Sequence, residues 1–114
     1  MYSSFDRSVL DHLRASLGDE SGAFARRVIS IFRRQGHELM DDLERAARDR
    51  DQPALVLAAH TLKGSSGSVG GRQLTHLCEQ LELWQDGSEA DLTPLVRSVR
   101  AEIEVLDREL ESYL

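Results

Sequence analysis

DQPALVLAAHTLKGSSGSVGG, residues 51–71, is the stretch on which the fold turns. Asp51 stands just ahead of Pro53, a capping side chain followed by a residue whose missing N–H costs nothing in the first turn of a helix. Leu55, Ala58, Ala59 and Leu62 follow at the spacing of a single buried helical face, and small residues then run from Gly64 to Gly71. With Leu55 taken as zero, a helix of about 100° per residue puts Ala58, Ala59, Leu62 and Ser66 within about 60° of it. Lys63 falls near about 80°, Gly67 near 120°, His60 near 140° and Gly64 near 180°. Histidine, lysine and two glycines therefore share one flank, turned away from the core.

The rest of the chain reads as helices to either side. Phe5, Val9, Leu10, Leu13 and Leu17 make a short first helix that Gly18 can close, because glycine takes a left-handed backbone cheaply. Phe24, Val28, Ile31, Phe32, Leu39, Leu43 and Ala46 form one stripe over about six turns, ended by Asp51. Ile29, Gly36 and Met40 lie roughly 60–120° off that stripe and are expected to be an exposed apolar row, unless the first helix covers them. A fourth helix starts at about Arg72 and carries Leu74, Leu77, Cys78, Leu81 and Gln85, with Asp86-Gly87 as its stop. Thr93 is a capping candidate ahead of Pro94, and Leu92, Leu95, Val96, Val99, Ile103, Leu106, Leu110 and Tyr113 continue a helical face. No segment alternates with period two for long enough to be a strand. The expected fold is all-α: an antiparallel up-down four-helix bundle with a short additional N-terminal helix, residues 1–114 making one domain.

Composition narrows the function. The 114 residues include 14 basic and 20 acidic side chains, a net charge of −6, which argues against neutralising nucleic-acid phosphates or an anionic membrane. No apolar run approaches the roughly 20 residues of a membrane span, and Met1 to Asp6 lacks the order of a secretory signal, so a cytoplasmic location is expected. A helix beginning almost at once after Met1 fits a freestanding protein. The one cysteine, Cys78, excludes an internal disulfide and lies in a core stripe, where it reads as a small hydrophobe. Trp84 and Tyr113 read as packing residues near the bundle ends. The pairs Arg26-Arg27 and Arg33-Arg34, like the acidic stretches Asp41-Asp42 and Asp49 to Asp51, read as the solvated face of a long helix. No Glu-x-x-His motif occurs, and His12, His37 and His76 are scattered over three helices, so no metal is expected. The glycine-rich segment lacks the spacing of a nucleotide-binding loop and follows a helix instead of a strand.

Thirteen of the 14 basic residues are arginine; the single lysine, Lys63, stands three positions after His60. Glycine inside a helix costs about 1 kcal/mol relative to alanine, so Gly64 and Gly67 imply a need for space beside the imidazole. A neutral, uncrowded imidazole is a nucleophile, and an ammonium at i+3 offers a point charge to an oxyanion such as a phosphoryl group.

The run Ala59-His60-Thr61-Leu62-Lys63-Gly64-Ser65-Ser66-Gly67-Ser68-Val69-Gly70, followed by Leu74, Leu77-Cys78 and Leu81-Glu82, resembles the signature of histidine phosphotransfer (HPt) domains. The resemblance implies that His60 is the phospho-acceptor, that Lys63 helps to hold the phosphoryl group and that Gly64 keeps that side open. It places Glu82 where many members carry a glutamine that hydrogen-bonds the imidazole. It implies, as partners, receiver domains of response regulators or hybrid sensor kinases, which bring the acidic pocket and magnesium, so that this chain needs neither a cofactor nor an ATP site. A monomer is implied too. A docking surface is expected at Val56, Leu57 and Gly67, together with Ile29 and Met40. Two other readings stand beside this one: a non-catalytic helical interaction module and a metal-dependent helical enzyme.

Overall fold

Turns and caps set the helix boundaries. The computed structural model describes residues 5–84 and 92–113, in which five helices follow one another: α1 (Arg7–Leu17), α2 (Ala23–Asp49), α3 (Gln52–Ser68), α4 (Arg72–Glu82) and α5 (Thr93–Glu111). Asp6 accepts from the Ser8 N–H at 3.1 Å to start α1, and Gly18, with φ 65°, closes it. The Asp19 carboxylate takes the N–H groups of Phe24 and Ala25 at 3.2 and 3.0 Å, satisfying donors at the start of α2 that Gly22 cannot reach. Asp51 caps α3 through the Ala54 N–H at 3.2 Å. Thr93 does not cap α5; the helix already includes it, and Leu92 is the residue outside. α4 ends at Glu82, and the sequence expectations for Gln85 and for a stop at Asp86-Gly87 lie outside the described residues.

α2 packs on α3 and α5, and α4 packs on the same two, so these four helices form a ring; α1 lies against α2. Leu10, Leu43, Leu55, Leu62, Leu74, Leu81, Leu106 and Leu110 are among the fully buried side chains at its centre. Trp84 and Tyr113 are buried as well: Arg50 sits 5.1 Å over the indole, and Phe5 meets the Tyr113 ring edge-on at 6.1 Å. Cys78 is fully buried, and burial pushes its thiol up to about 12.

The inward face of α2 differs from the sequence expectation. Ala25, Ile29, Phe32, Gly36, Met40, Leu43 and Ala46 are buried, whereas Phe24 and Ile31 are 44% and 39% exposed. Ile29 and Met40 are thus core residues, and the exposed apolar row expected of them is not there. Their face carries large and small side chains at three- and four-residue spacing; the small Ala25 and Gly36 fall on the buried arc, and Phe24 and Ile31 fall at its exposed edge.

The segment before α1 is strapped onto the turn between α3 and α4. Asp6 N–H donates to the Gly70 carbonyl at 2.7 Å, Phe5 and Gly71 form a single antiparallel bridge, and Arg72 reaches the Asp6 carboxylate at 2.7 Å. Phe5 therefore pairs through its backbone and does not open the first helix. Gly70 adopts φ 82°, and a Cβ there would run into the Asp6 carbonyl oxygen. Gly70→Ala is expected to cost at least about 1–2 kcal/mol through its backbone alone, lowering Tm by roughly 5 °C or more, with faster exchange of the Asp6 amide. An unchanged Tm with full protection at Asp6 would contradict this account of the strap.

Candidate functional site

Ala59 and Leu62 are fully buried, and this turns His60, between them in sequence, to the outside of α3, where its side chain is 69% exposed. Lys63, one turn on, sits on the same flank and is half-buried. On α4, Cys78 and Leu81 point inward, so Glu82 emerges at the edge of the core beside α3. Its carboxylate spans both neighbours: Oε1 lies 3.0 Å from His60 Nδ1 and Oε2 lies 2.9 Å from Lys63 Nζ.

The electrostatics of this trio determine the state of the ring. Lys63 and then His60 hold the Glu82 carboxyl below its usual range, against partial burial, which pushes the other way. An ionised carboxylate can only accept, so the proton between Glu82 and the imidazole belongs to Nδ1. In the neutral ring the lone pair is then on Nε2, the outward nitrogen available as a nucleophile.

Gly64 and Gly67 are exposed, and a Cβ at either would meet nothing within 4 Å. Nothing inside the molecule requires glycine there; the space they leave is on the outside, next to the imidazole. The hydroxyls on the other side of α3, toward α2, are turned back onto the helix: Thr61 donates to the Leu57 carbonyl, Ser65 to Thr61 and Ser68 to Gly64, at 2.9–3.1 Å. Ser66 is buried and its hydroxyl lies 2.9 Å from both the Lys63 carbonyl and the Thr75 hydroxyl, tying α3 to α4 below the site.

Of the expected docking residues, Leu57 is 67% exposed and Val56 is half-buried one turn before His60, while Ile29 and Met40 lie inside. The sequence reading did not single out an apolar hollow that the structure opens on this side. A shallow cavity of about 200 Å³ between α2 and α3 is lined by Val28, Ile31, Gln35, Ser65 and Ser68. The signal was the excess width of the apolar arc on α2, too broad for all of it to face inward. His12, His37 and His76 lie on α1, α2 and α4, and among the described residues no three His, Cys, Asp or Glu side chains are grouped to hold a metal. Among the same residues no helix is long and apolar enough to cross a membrane.

The sequence pattern of the Hpt domain matches residues 27–110. The chain belongs to the Hpt domain family. It is 29% identical over 77 residues to Multistep phosphorelay regulator 1 of Schizosaccharomyces pombe, an alignment covering 68% of this chain and 26% of that protein. The chain thus spans about a quarter of the length of that relative. The crystal structure of histidine-containing phosphotransfer protein B (HptB) from Pseudomonas aeruginosa superimposes with a TM-score of 0.81, at 24% identity, over 97% of this chain and 94% of the other. At that identity the likeness speaks for the all-α bundle.

Glu82 gives the site an acid dependence. Its folded-state pKa is lowered from an ordinary 4.5, so its contribution to stability is complete above the ordinary value and is lost as pH falls through the lowered one. Acid unfolding of the wild type should therefore be steeper than that of Glu82→Gln, with the two stability curves converging once the carboxylate is protonated. Parallel curves throughout the acid range would show that the trio is not held by charge.

Proposed function

We propose that His60 is the phospho-acceptor of a phosphorelay carrier whose partners are receiver domains. The observation that supports this most directly is the Glu82 carboxylate between His60 Nδ1 and Lys63 Nζ, which leaves Nε2 as the free nucleophilic nitrogen. A receiver bearing an aspartyl phosphate docks over the open flank of α3. The Nε2 lone pair attacks phosphorus in line, the N–P bond forms as the P–O bond to the aspartate breaks, and the carboxylate leaves with the bonding pair. The ring keeps its Nδ1 proton and becomes cationic, and Glu82 stabilises that charge. Lys63 pivots from Glu82 to a phosphoryl oxygen. Reversal of the step onto another receiver's aspartate completes the relay.

Positioning and charge stabilisation supply most of the catalysis in phosphoryl transfer, and the receiver brings the acidic pocket and magnesium. The carrier needs only an oriented nucleophile, one mobile cation and clearance at Gly64. Val56, Leu57 and Gly67 on α3, with Val28 and Ile31 on α2, offer the apolar and open surface for docking. In this reading the chain has no ATP site of its own, acts as a monomer and works in the cytoplasm.

The test is transfer of label from a phosphorylated receiver domain. Label should move onto the chain, be lost in acid, survive base and be absent from His60→Gln, which should keep the melting temperature of the wild type because the ring is exposed. Lys63→Ala should slow transfer by roughly tenfold to a hundredfold, the worth of one charge-assisted hydrogen bond. Gly64→Gln should fold normally and fail to accept phosphate. Label that persists in His60→Gln, or no label from a broad panel of active receivers, would overturn the assignment and leave a non-catalytic interaction bundle.

A further inference from the structure

The ring order of the helices puts the seam between α2 and α5 on the side of the bundle away from the seam between α3 and α4, where His60 and Glu82 meet. That remote seam opens into a groove of about 570 Å³ whose floor is Ile29 and Leu110. Along its α2 wall stand Arg26, Arg33, Arg34 and His37, with Ser30 between them. They are spread over 12 residues of one helix, a line of roughly 16 Å. In a chain of net charge −6 this groove gathers three guanidinium groups, and Glu111 is the acidic residue on its opposite wall.

One carboxylate of the chain already shows what these cations take. Asp107 on α5, beside the groove, lies 3.1 Å from His37 Nε2 and 3.8 Å from Arg33 Nε. Arg26 uses one nitrogen on the Ser21 carbonyl, and Arg34 has no ion-pair partner within 4 Å among the described residues. A small anion needs donors that converge on a point. Here the donors are strung out along a helix beside an apolar floor, a layout suited to acidic side chains spaced along a peptide with apolar residues between them.

We propose that the α2–α5 groove is a second interaction surface, which docks an acidic, partly apolar segment of a partner protein while the His60 face remains free for a receiver. Such a surface would hold the carrier to one partner while phosphate moves through another face. This proposal does not depend on His60 being the acceptor, because its readout is binding.

The probe is a fluorescein-labelled helical peptide rich in glutamate with leucines at three- and four-residue spacing, titrated with the full chain by anisotropy alongside its Glu→Gln counterpart. The acidic peptide should bind, weaken with added sodium chloride, and shift the amides of Ile29 to His37 and Leu110 in NMR spectra. The double variant Arg26→Glu/Arg34→Glu, both exposed positions, should bind about tenfold or more weakly, having exchanged two attractions for two repulsions. Its melting curve and its acceptance of phosphate from a receiver should match the wild type. Equal affinity of the double variant, equal affinity for the Gln peptide, or shifts centred on His60 would each overturn the proposal. Displacement of the peptide by an equal concentration of tripolyphosphate would reassign the groove to small polyanions and overturn it as well.

Discussion

One face of α3 governs the site. Leu55, Ala58, Ala59, Leu62 and Ser66 are all committed to the interior, and at about 100° per residue that leaves His60 no direction but outward. The energies run the same way. Burying each leucine contributes about 1.5–3 kcal/mol, whereas an ion pair with an exposed imidazole is worth about 1 kcal/mol or less. The core therefore dictates the orientation of the histidine, and the site accepts it. The choice of alanine at 58 and 59 follows as well. Small side chains bring the axis of α3 close to its neighbours, and at that separation a glutamate on α4 reaches two side chains of α3 with one carboxylate.

Glutamate and lysine at this site have consequences that their common substitutes would not. A glutamine at 82 could turn either its oxygen or its nitrogen toward the ring and so tolerate both imidazole tautomers; an ionised glutamate accepts only, and fixes the proton on Nδ1. In the proposed transfer the cost is a negative charge near the phosphoryl group, which the Lys63 ammonium, 2.9 Å from that carboxylate, offsets. An arginine at 63 would grip the carboxylate through two parallel hydrogen bonds and resist leaving it. An ammonium is a point charge on a flexible stem that can change partners. That difference gives a physical reason for a single lysine in a chain whose other 13 basic residues are arginine.

How much of this was legible in the sequence depended on how narrow each apolar stripe was. α3 has few apolar residues outside one arc, so its period placed His60, Lys63, Gly64 and Gly67 on the outer flank, where the structure has them. α2 has large apolar residues over about half its circumference, from Ile31 round to Met40, and a stripe drawn through Phe24 and Ile31 left out Ala25 and put Ile29, Gly36 and Met40 to one side. Packing kept Phe32, Leu43 and Ala46 inside but turned the buried face by about 60°, bringing in Ala25, Ile29, Gly36 and Met40 and leaving Phe24 and Ile31 at its exposed edge. The reach of Glu82 was only partly legible: its angle on α4 put it at the edge of the core, but the 3.0 and 2.9 Å contacts depend on how near α4 lies to α3. The strap from Asp6 to Gly70 had no local signal, since it joins positions 64 residues apart that nothing in either segment pairs.

The same limit applies to the arginine pairs of α2. Read along one helix, Arg26-Arg27 and Arg33-Arg34 are solvated charge, and one of the four remains so: Arg27 lies outside the groove between α2 and α5. What changes Arg26, Arg33 and Arg34 is the arrival of α5, some 80 residues later, with Asp107 and Leu110 on the facing side. A lone surface charge beside water is screened and contributes little, but a row of charges along one groove can be met together by a partner whose charges match it. The antiparallel pairing of α2 with α5 thus makes a recognition surface out of residues that neither helix would mark by itself. It makes that surface on the side of the ring that the histidine, fixed outward on α3 beside α4, does not use.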